Sequence, residues 1–166
     1  MAWGGFAIAL LLVYLVQVAL AALLRLPALD LFLVLALLCG LLCPTYDARL
    51  AAWVTGLAQD VGSADALGVH AFALGLTGLL LTHLREYGNV GVWWIAGLMA
   101  LAAAWPGQVI YLLHLHYLSG PGLVSFWQLL LAATLTSALG AAIATLINAL
   151  PWAAHHRRRR QRAFRI

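Results

Sequence analysis

The residues of this chain that could support chemistry gather between Trp53 and Arg85. Asp60, Asp65 and His70 lie there in a glycine-marked break between two apolar stretches. A carboxylate near an imidazole can transfer a proton, bind a ligand or anchor a hydrogen-bond network. An ionisable group inside a membrane costs roughly 2.5–3.5 kcal/mol on insertion scales, so it usually has a function. Three roles stay open for Asp60: an anchor for the break, a contact with a partner, or a proton or ligand site.

The two neighbours of Asp60 have simpler expected roles. Asp65 stands just before the second apolar stretch, where a carboxylate can cap the free amides of a helix N-terminus. His70 lies about one turn further along. We expect it to be neutral and to donate a hydrogen bond to a backbone carbonyl or to Asp60, in preference to binding a metal.

The other histidine and cysteine residues are not spaced to form a metal site. His114 and His116 are two residues apart, which on a helix places them on different faces. Cys39 and Cys43 are one helical turn apart on an apolar run, without supporting ligands. No nucleophile is spaced so as to commit to a nearby base. We therefore expect no catalytic residue, no cofactor and no metal ion.

Composition places these residues in a membrane. Of the 166 residues, 65% are hydrophobic and 8% are charged, and from Tyr87 to His156 there is no Asp, Glu, Lys or Arg. Such uncharged aliphatic runs predict consecutive transmembrane helices. We expect an all-α polytopic membrane domain over residues 1–152, followed by a basic cytoplasmic tail over residues 153–166.

About six transmembrane helices are expected, and the third is short. The twelve residues of that third segment would cover about 18 Å, against a hydrocarbon core of roughly 30 Å. It is therefore either a tilted short span or a re-entrant segment. Basic residues favour a cytoplasmic C-terminus in both cases, so five and six crossings stay open. The expected spans are Trp3–Leu24, Asp30–Cys43, Leu50–Val61, Ala66–Leu84, Val90–Tyr117 and Leu123–Leu150.

Small residues recur at helical spacing on two of these spans. Such stripes allow close approach of another helix, either from the same chain or from a partner. The tail arginines, for their part, could contact anionic lipid or an acidic cytoplasmic protein. The stripe residues are Ala71, Gly75 and Gly78 on the fourth span and Ala132, Thr136, Gly140 and Ala144 on the sixth, and the tail residues are Arg157, Arg158, Arg159, Arg160 and Arg162.

With these features the chain resembles the rod shape-determining protein MreD family. The resemblance extends to length, short loops and a basic C-terminal end, and it is most specific in the central segment. The matching residues there are Gly56, Gln59, Asp60, the run Ala66–Ala71, Gly78, Leu84 and Arg85. We interpret Gly56, Asp60, Gly62, Asp65, Gly68 and His70 as a structural hinge between the third and fourth spans.

The resemblance implies a multi-pass protein of the bacterial inner membrane that works in cell-wall elongation. Members of the family are non-catalytic scaffolds that bind the single-span protein MreC. They act with a SEDS-type glycosyltransferase and a class B penicillin-binding protein. The implied fold is similar to that of the substrate-binding components of energy-coupling-factor vitamin transporters, and such a component is the alternative function. It would need a cavity with convergent polar groups. Away from the hinge, the candidates are Gln17, Gln108, Gln128 and Asn148.

Overall fold

A computed structural model of the protein describes residues 3–24, 30–63, 67–88, 92–119 and 126–149. Within these ranges the regular structure is entirely α-helical, as expected from the composition. The helices are α1 Trp3–Leu24, α2 Leu31–Leu42, α3 Thr45–Gly62, α4 Val69–Tyr87, α5 Trp93–Ser119 and α6 Phe126–Ala149.

Local sequence signals account for several of the helix ends. Asp30 caps α2, because its side-chain Oδ1 accepts hydrogen bonds from the backbone amides of Phe32 and Leu33 at 3.0 and 3.1 Å. Pro44 precedes the first residue of α3, a position that tolerates the missing amide of proline. Gly68 precedes α4 with φ of 99°, a left-handed conformation that favours glycine.

Neighbouring helices run antiparallel, so their ends lie on two opposite sides of the bundle. One side, the hinge end, holds the start of α2, the end of α3 and the start of α4, where Asp30 meets Gln59. The other side, the arginine end, holds the end of α2, the start of α3 and the end of α4. There Arg49 Nε donates to Thr82 Oγ1 at 2.9 Å, and Arg85 contacts the end of α2.

The central helix of the bundle is α2. It packs against all five other helices, and nine of its 12 residues are buried. Small residues from α5 and α6 complete this core, so the helices approach closely. They are Ala96, Ala100, Ala103, Ala104, Ala141 and Ala144.

Among the residues that the structure describes, two helices are long and apolar enough to cross a membrane by length and composition alone. These stretches are Trp93–His114 and Leu130–Ile147, while the apolar stretches Trp3–Ala19 and Leu31–Leu42 are shorter. Only 39% and 28% of the residues in the two long stretches are buried, so most of their apolar surface faces outward. This exposure favours contact with lipid over a role as core helices of a water-soluble protein. Six transmembrane helices were expected; the described residues form six helices, and two of these pass this test.

The third helix is longer than the expected Leu50–Val61 segment. α3 begins at Thr45 and contains 18 residues, which corresponds to about 27 Å. Asp47 and Arg49, which the sequence analysis placed outside the helix, lie in its first two turns. A carboxylate in the first turn is favourable because it meets the positive end of the helix dipole.

Arg85 ties the end of α4 to the end of α2. Its Nη1 donates to the backbone carbonyls of Gly40 at 2.8 Å and Cys43 at 2.8 Å, with Leu41 further away at 3.3 Å. The last carbonyls of a helix lack partners within the helix, so a guanidinium with several donors satisfies them well. Arg85 is therefore a cap for α2 and not merely the residue that closes α4.

Replacing Arg85 with methionine is expected to lower the free energy of unfolding by about 2 kcal/mol. Hydrogen bonds to charged groups typically contribute about 1.5–3 kcal/mol, and methionine keeps most of the apolar stem. Thermal unfolding in detergent would measure the loss. An unchanged unfolding midpoint would contradict the capping role.

Candidate functional site

The carboxylate of Asp60 joins the end of α3 to the start of α4. Its Oδ2 accepts hydrogen bonds from the backbone amides of Gly68 at 2.9 Å and Ala71 at 3.0 Å. Its Oδ1 accepts from the backbone amide of His70 at 2.9 Å. These amides lie at a helix N-terminus, where they have no intrahelical partners. One side chain thus satisfies three donors across the turn.

His70 adds a side-chain contact to the same carboxylate. Its Nδ1 lies 3.0 Å from Asp60 Oδ1, and the two side chains are 8% and 0% exposed. The imidazole also packs against the ring of Tyr111 of α5, with ring centroids 4.5 Å apart. Of the two partners expected for His70, a backbone carbonyl or Asp60, the structure places Asp60 at Nδ1. Because His70 of α4 contacts both Asp60 of α3 and Tyr111 of α5, it helps to hold these three helices in position.

The expected cap of α4 was Asp65, which lies outside the described residues. Asp60 performs the capping in the described structure, from the end of the preceding helix. Of the roles left open for Asp60, its geometry matches the anchor that holds the break.

Small residues bring α3 and α4 into backbone contact. A Cβ atom added at Gly56 would lie 2.5 Å from both the Cα of Ala71 and the carbonyl oxygen of His70. At Gly75 it would lie 2.7 Å from Trp53, and at Gly78 it would overlap the Cβ of Ala52. The stripe of Ala71, Gly75 and Gly78 on α4 therefore packs on α3 of the same chain.

Gly62 makes a similar close approach to α1. A Cβ atom there would lie 2.5 Å from a ring carbon of Tyr14. Since α3 ends at Gly62 and Ser63 follows as its C-terminal cap, the break falls where the sequence analysis placed the hinge. The hinge residues Gly56, Asp60, Gly62, Gly68 and His70 thus lie together at the contacts between α1, α3 and α4.

The small-residue stripe of α6 is divided between two environments. Gly140 and Ala144 are buried, and a Cβ atom added at Gly140 would lie 3.0 Å from Leu33 of α2. Their surfaces are therefore occupied by their own chain. Ala132 and Thr136, nearer the start of α6, line a cavity instead.

The cavity lies at the hinge end and has a volume of about 560 Å³. It lies beside the start of α2, where the backbone amide of Leu31 donates to Gln17 of α1. The lining residues are Gln17, Asp30, Gln59, His70, Gln108, Tyr111, Leu112, Trp127, Gln128, Leu131, Ala132, Leu135 and Thr136.

Three glutamines that the sequence analysis singled out converge in this cavity. Gln17 accepts a hydrogen bond from the amide of Leu31 at 3.0 Å, while Gln108 and Gln128 come from α5 and α6. The side chain of Asn148 and the arginines from Arg157 to Arg162 lie outside the described residues. Among the described residues no group of three or more His, Cys, Asp or Glu side chains could hold a metal ion.

Comparisons of the chain with protein-family models, with curated proteins and with solved structures gave no match.

Proposed function

We propose that the protein is a non-catalytic scaffold of the bacterial cell-wall elongation machinery, of the MreD type. In this proposal it binds MreC and holds it near the SEDS-type glycosyltransferase and the class B penicillin-binding protein. The observation that carries the proposal is that Asp60 joins the end of α3 to the start of α4. The residues through which the chain resembles the MreD family, Gly56, Asp60, Gly68, His70 and Ala71, are joined in one interhelical contact.

The ionisable groups of that segment are engaged in architecture. Asp60 accepts from three backbone amides, His70 pairs with it, and Arg85 caps α2. A catalytic acid or base needs access to a reacting group, whereas the side chain of Asp60 is fully buried. A protein that uses its few charges in this way is suited to holding other chains, which supports a scaffold over an enzyme.

We place all six helices across the bacterial inner membrane, with the arginine end in the cytoplasm. α3 contacts α4 at both of its ends, through Asp60 and through Arg49, so it runs the full length of α4. This geometry favours six crossings over a re-entrant third segment. Arg49 and Arg85 then lie on the same side as the tail arginines, as the positive-inside rule requires.

Topology is tested with cysteine variants in a background from which Cys39 and Cys43 have been removed. With six crossings, Tyr46→Cys should react with a membrane-impermeant maleimide only after the cells are opened. Tyr46 is a suitable position because its side chain is 74% exposed at the start of α3. Leu67→Cys, 78% exposed at the hinge end, is the matched control and should react in intact spheroplasts. The reverse labelling pattern would reject the proposed orientation.

The scaffold role is tested by partner capture and by cell shape. The tagged protein, extracted from native membranes, should co-purify MreC. Depletion in a rod-shaped host should produce rounded, wider cells that the wild-type gene restores. Cells that remain rods after depletion, or a folded protein that never captures MreC, would contradict the proposal.

The substrate-binding component of a vitamin transporter is a second candidate, and the cavity at the hinge end favours it. A volume of about 560 Å³ lies within the usual range for small-molecule sites. High-affinity binding of a vitamin by the purified protein, together with unchanged cell shape after depletion, would select this function over the scaffold.

A further inference from the structure

Part of the lining of the cavity at the hinge end is polar and made of hydrogen-bond acceptors. Asp30 Oδ1 is used by the amides of α2, but Oδ2 has only a long contact of 3.4 Å from Gln59 Nε2. The Oε1 atom of Gln59 is buried and has no hydrogen-bond partner among the described residues. Asp30 and Gln59 both line the cavity, and each carries an oxygen with spare acceptor capacity.

The part of the cavity lining that α6 supplies is largely apolar and reaches the outer surface. Trp127, Leu131 and Leu135 line the cavity from α6, and they are 76%, 61% and 59% exposed. On the other helices, Gln17 of α1 borders the same cavity. An apolar chain lying along the exposed α6 residues could therefore reach the polar lining.

We propose that this cavity binds an amphiphile whose polar end donates hydrogen bonds and whose apolar body lies along α6. The polar end would be an ammonium or hydroxyl group, which Asp30 Oδ2 and Gln59 Oε1 accept. An anionic end group has no hydrogen to donate to these oxygens. Two sources share this chemistry, a membrane lipid with a primary amine and a small soluble amine. The inference concerns the cavity alone and does not rest on either function proposed above.

Octylamine and octanoate test the head-group requirement, because they carry the same apolar chain. The full-length protein in phosphatidylcholine nanodiscs should show a rise in unfolding midpoint with octylamine that saturates. Octanoate should give no saturable rise, since its carboxylate meets the acceptors. Equal saturable binding of octylamine and octanoate would overturn the proposal. Binding of neither compound would also overturn it if the lipid test described below is negative.

Two variants locate the binding. Ala132→Phe places a ring in the open space of the cavity and should weaken octylamine binding at least tenfold. Ala142→Phe, at an exposed position on the same helix, is the matched control and should bind like the wild type. Asp30→Asn keeps a capping oxygen for α2 but replaces the second oxygen by a donor, so it should also weaken binding. Undiminished binding by a folded Ala132→Phe or Asp30→Asn variant would overturn the site.

A lipid test separates the two sources. The nanodiscs contain equal parts of phosphatidylethanolamine and phosphatidylcholine. The ammonium group of phosphatidylethanolamine has N–H donors, whereas that of phosphatidylcholine has none. Native mass spectrometry should show retention of phosphatidylethanolamine in the wild type and its loss in Ala132→Phe, if the source is lipid. Octylamine binding without retained phosphatidylethanolamine identifies a soluble amine as the source. The proposal would be rejected if the wild type and Ala132→Phe retained both lipids in equal amounts and octylamine did not bind.

Discussion

Replacing Asp60 with alanine is expected to lower the free energy of unfolding by about 3–5 kcal/mol. A buried donor left without its acceptor costs about 1–3 kcal/mol, and this substitution leaves several donors without one. The amides of Gly68, His70 and Ala71 would lose their acceptor, and the His70 side chain would lose its contact. Thermal unfolding in detergent and the yield of monodisperse protein would measure the loss.

Two further variants sharpen the Asp60 experiment. Asp60→Asn should be intermediate, because the amide oxygen replaces one acceptor while the amide nitrogen cannot accept from a backbone N–H. Glu86→Gln is the matched control, since Glu86 is 53% exposed and pairs with His83 only at 3.7 Å. An exposed pair of this kind contributes about 0–1 kcal/mol. Similar losses for Asp60→Ala and Glu86→Gln would contradict the anchoring role.

The substitution Gly56→Ala is expected to destabilise the protein by about 3 kcal/mol, the upper part of the usual range for overpacking. The added methyl group would lie 2.5 Å from backbone atoms of His70 and Ala71. Backbone atoms cannot rotate away as a flexible side chain does, so α3 and α4 would have to separate. Separation of the helices would also stretch the hydrogen bonds to Asp60. Thermal unfolding would measure the loss of stability.

The same glycine-to-alanine change at Gly5 is expected to have the opposite effect on stability. Gly5 lies in α1 with no atom within 4 Å of an added Cβ. Alanine there should stabilise the helix by roughly 0.5–1 kcal/mol, because glycine is a poor helix former. If Gly56→Ala and Gly5→Ala shift the unfolding midpoint in the same direction, the close approach of α3 and α4 is not a determinant of stability.

Helix positions could be predicted well from the sequence where apolar runs end at strong signals. The expected bounds of α1 agree with the structure, and those of α2 agree to within one residue at each end. α3 was predicted too short, because Thr45, Asp47 and Arg49 have the composition of a loop. Their helical conformation depends on tertiary contacts, such as that of Arg49 with Thr82.

The candidate site was predictable in its residues but only partly in its connections. His70 was expected to donate to a backbone carbonyl or to Asp60, and in the structure its Nδ1 lies 3.0 Å from Asp60 Oδ1. Which carboxylate caps α4 depends on the path of the turn, and no periodic pattern encodes that path. The cavity depends on the relative positions of the helices that line it, so sequence alone could supply its glutamines but not their convergence.

For the membrane topology proposed above, the Asp60 contact also has a consequence for how the chain enters the bilayer during synthesis. An isolated α3, with Asp47, Arg49 and Asp60, is too polar to partition favourably on its own. The partners of Asp60 follow it by only eight to eleven residues, so they leave the ribosome shortly afterwards. We expect α3 and α4 to pass from the translocon into lipid as a preformed hairpin, with the carboxylate already satisfied.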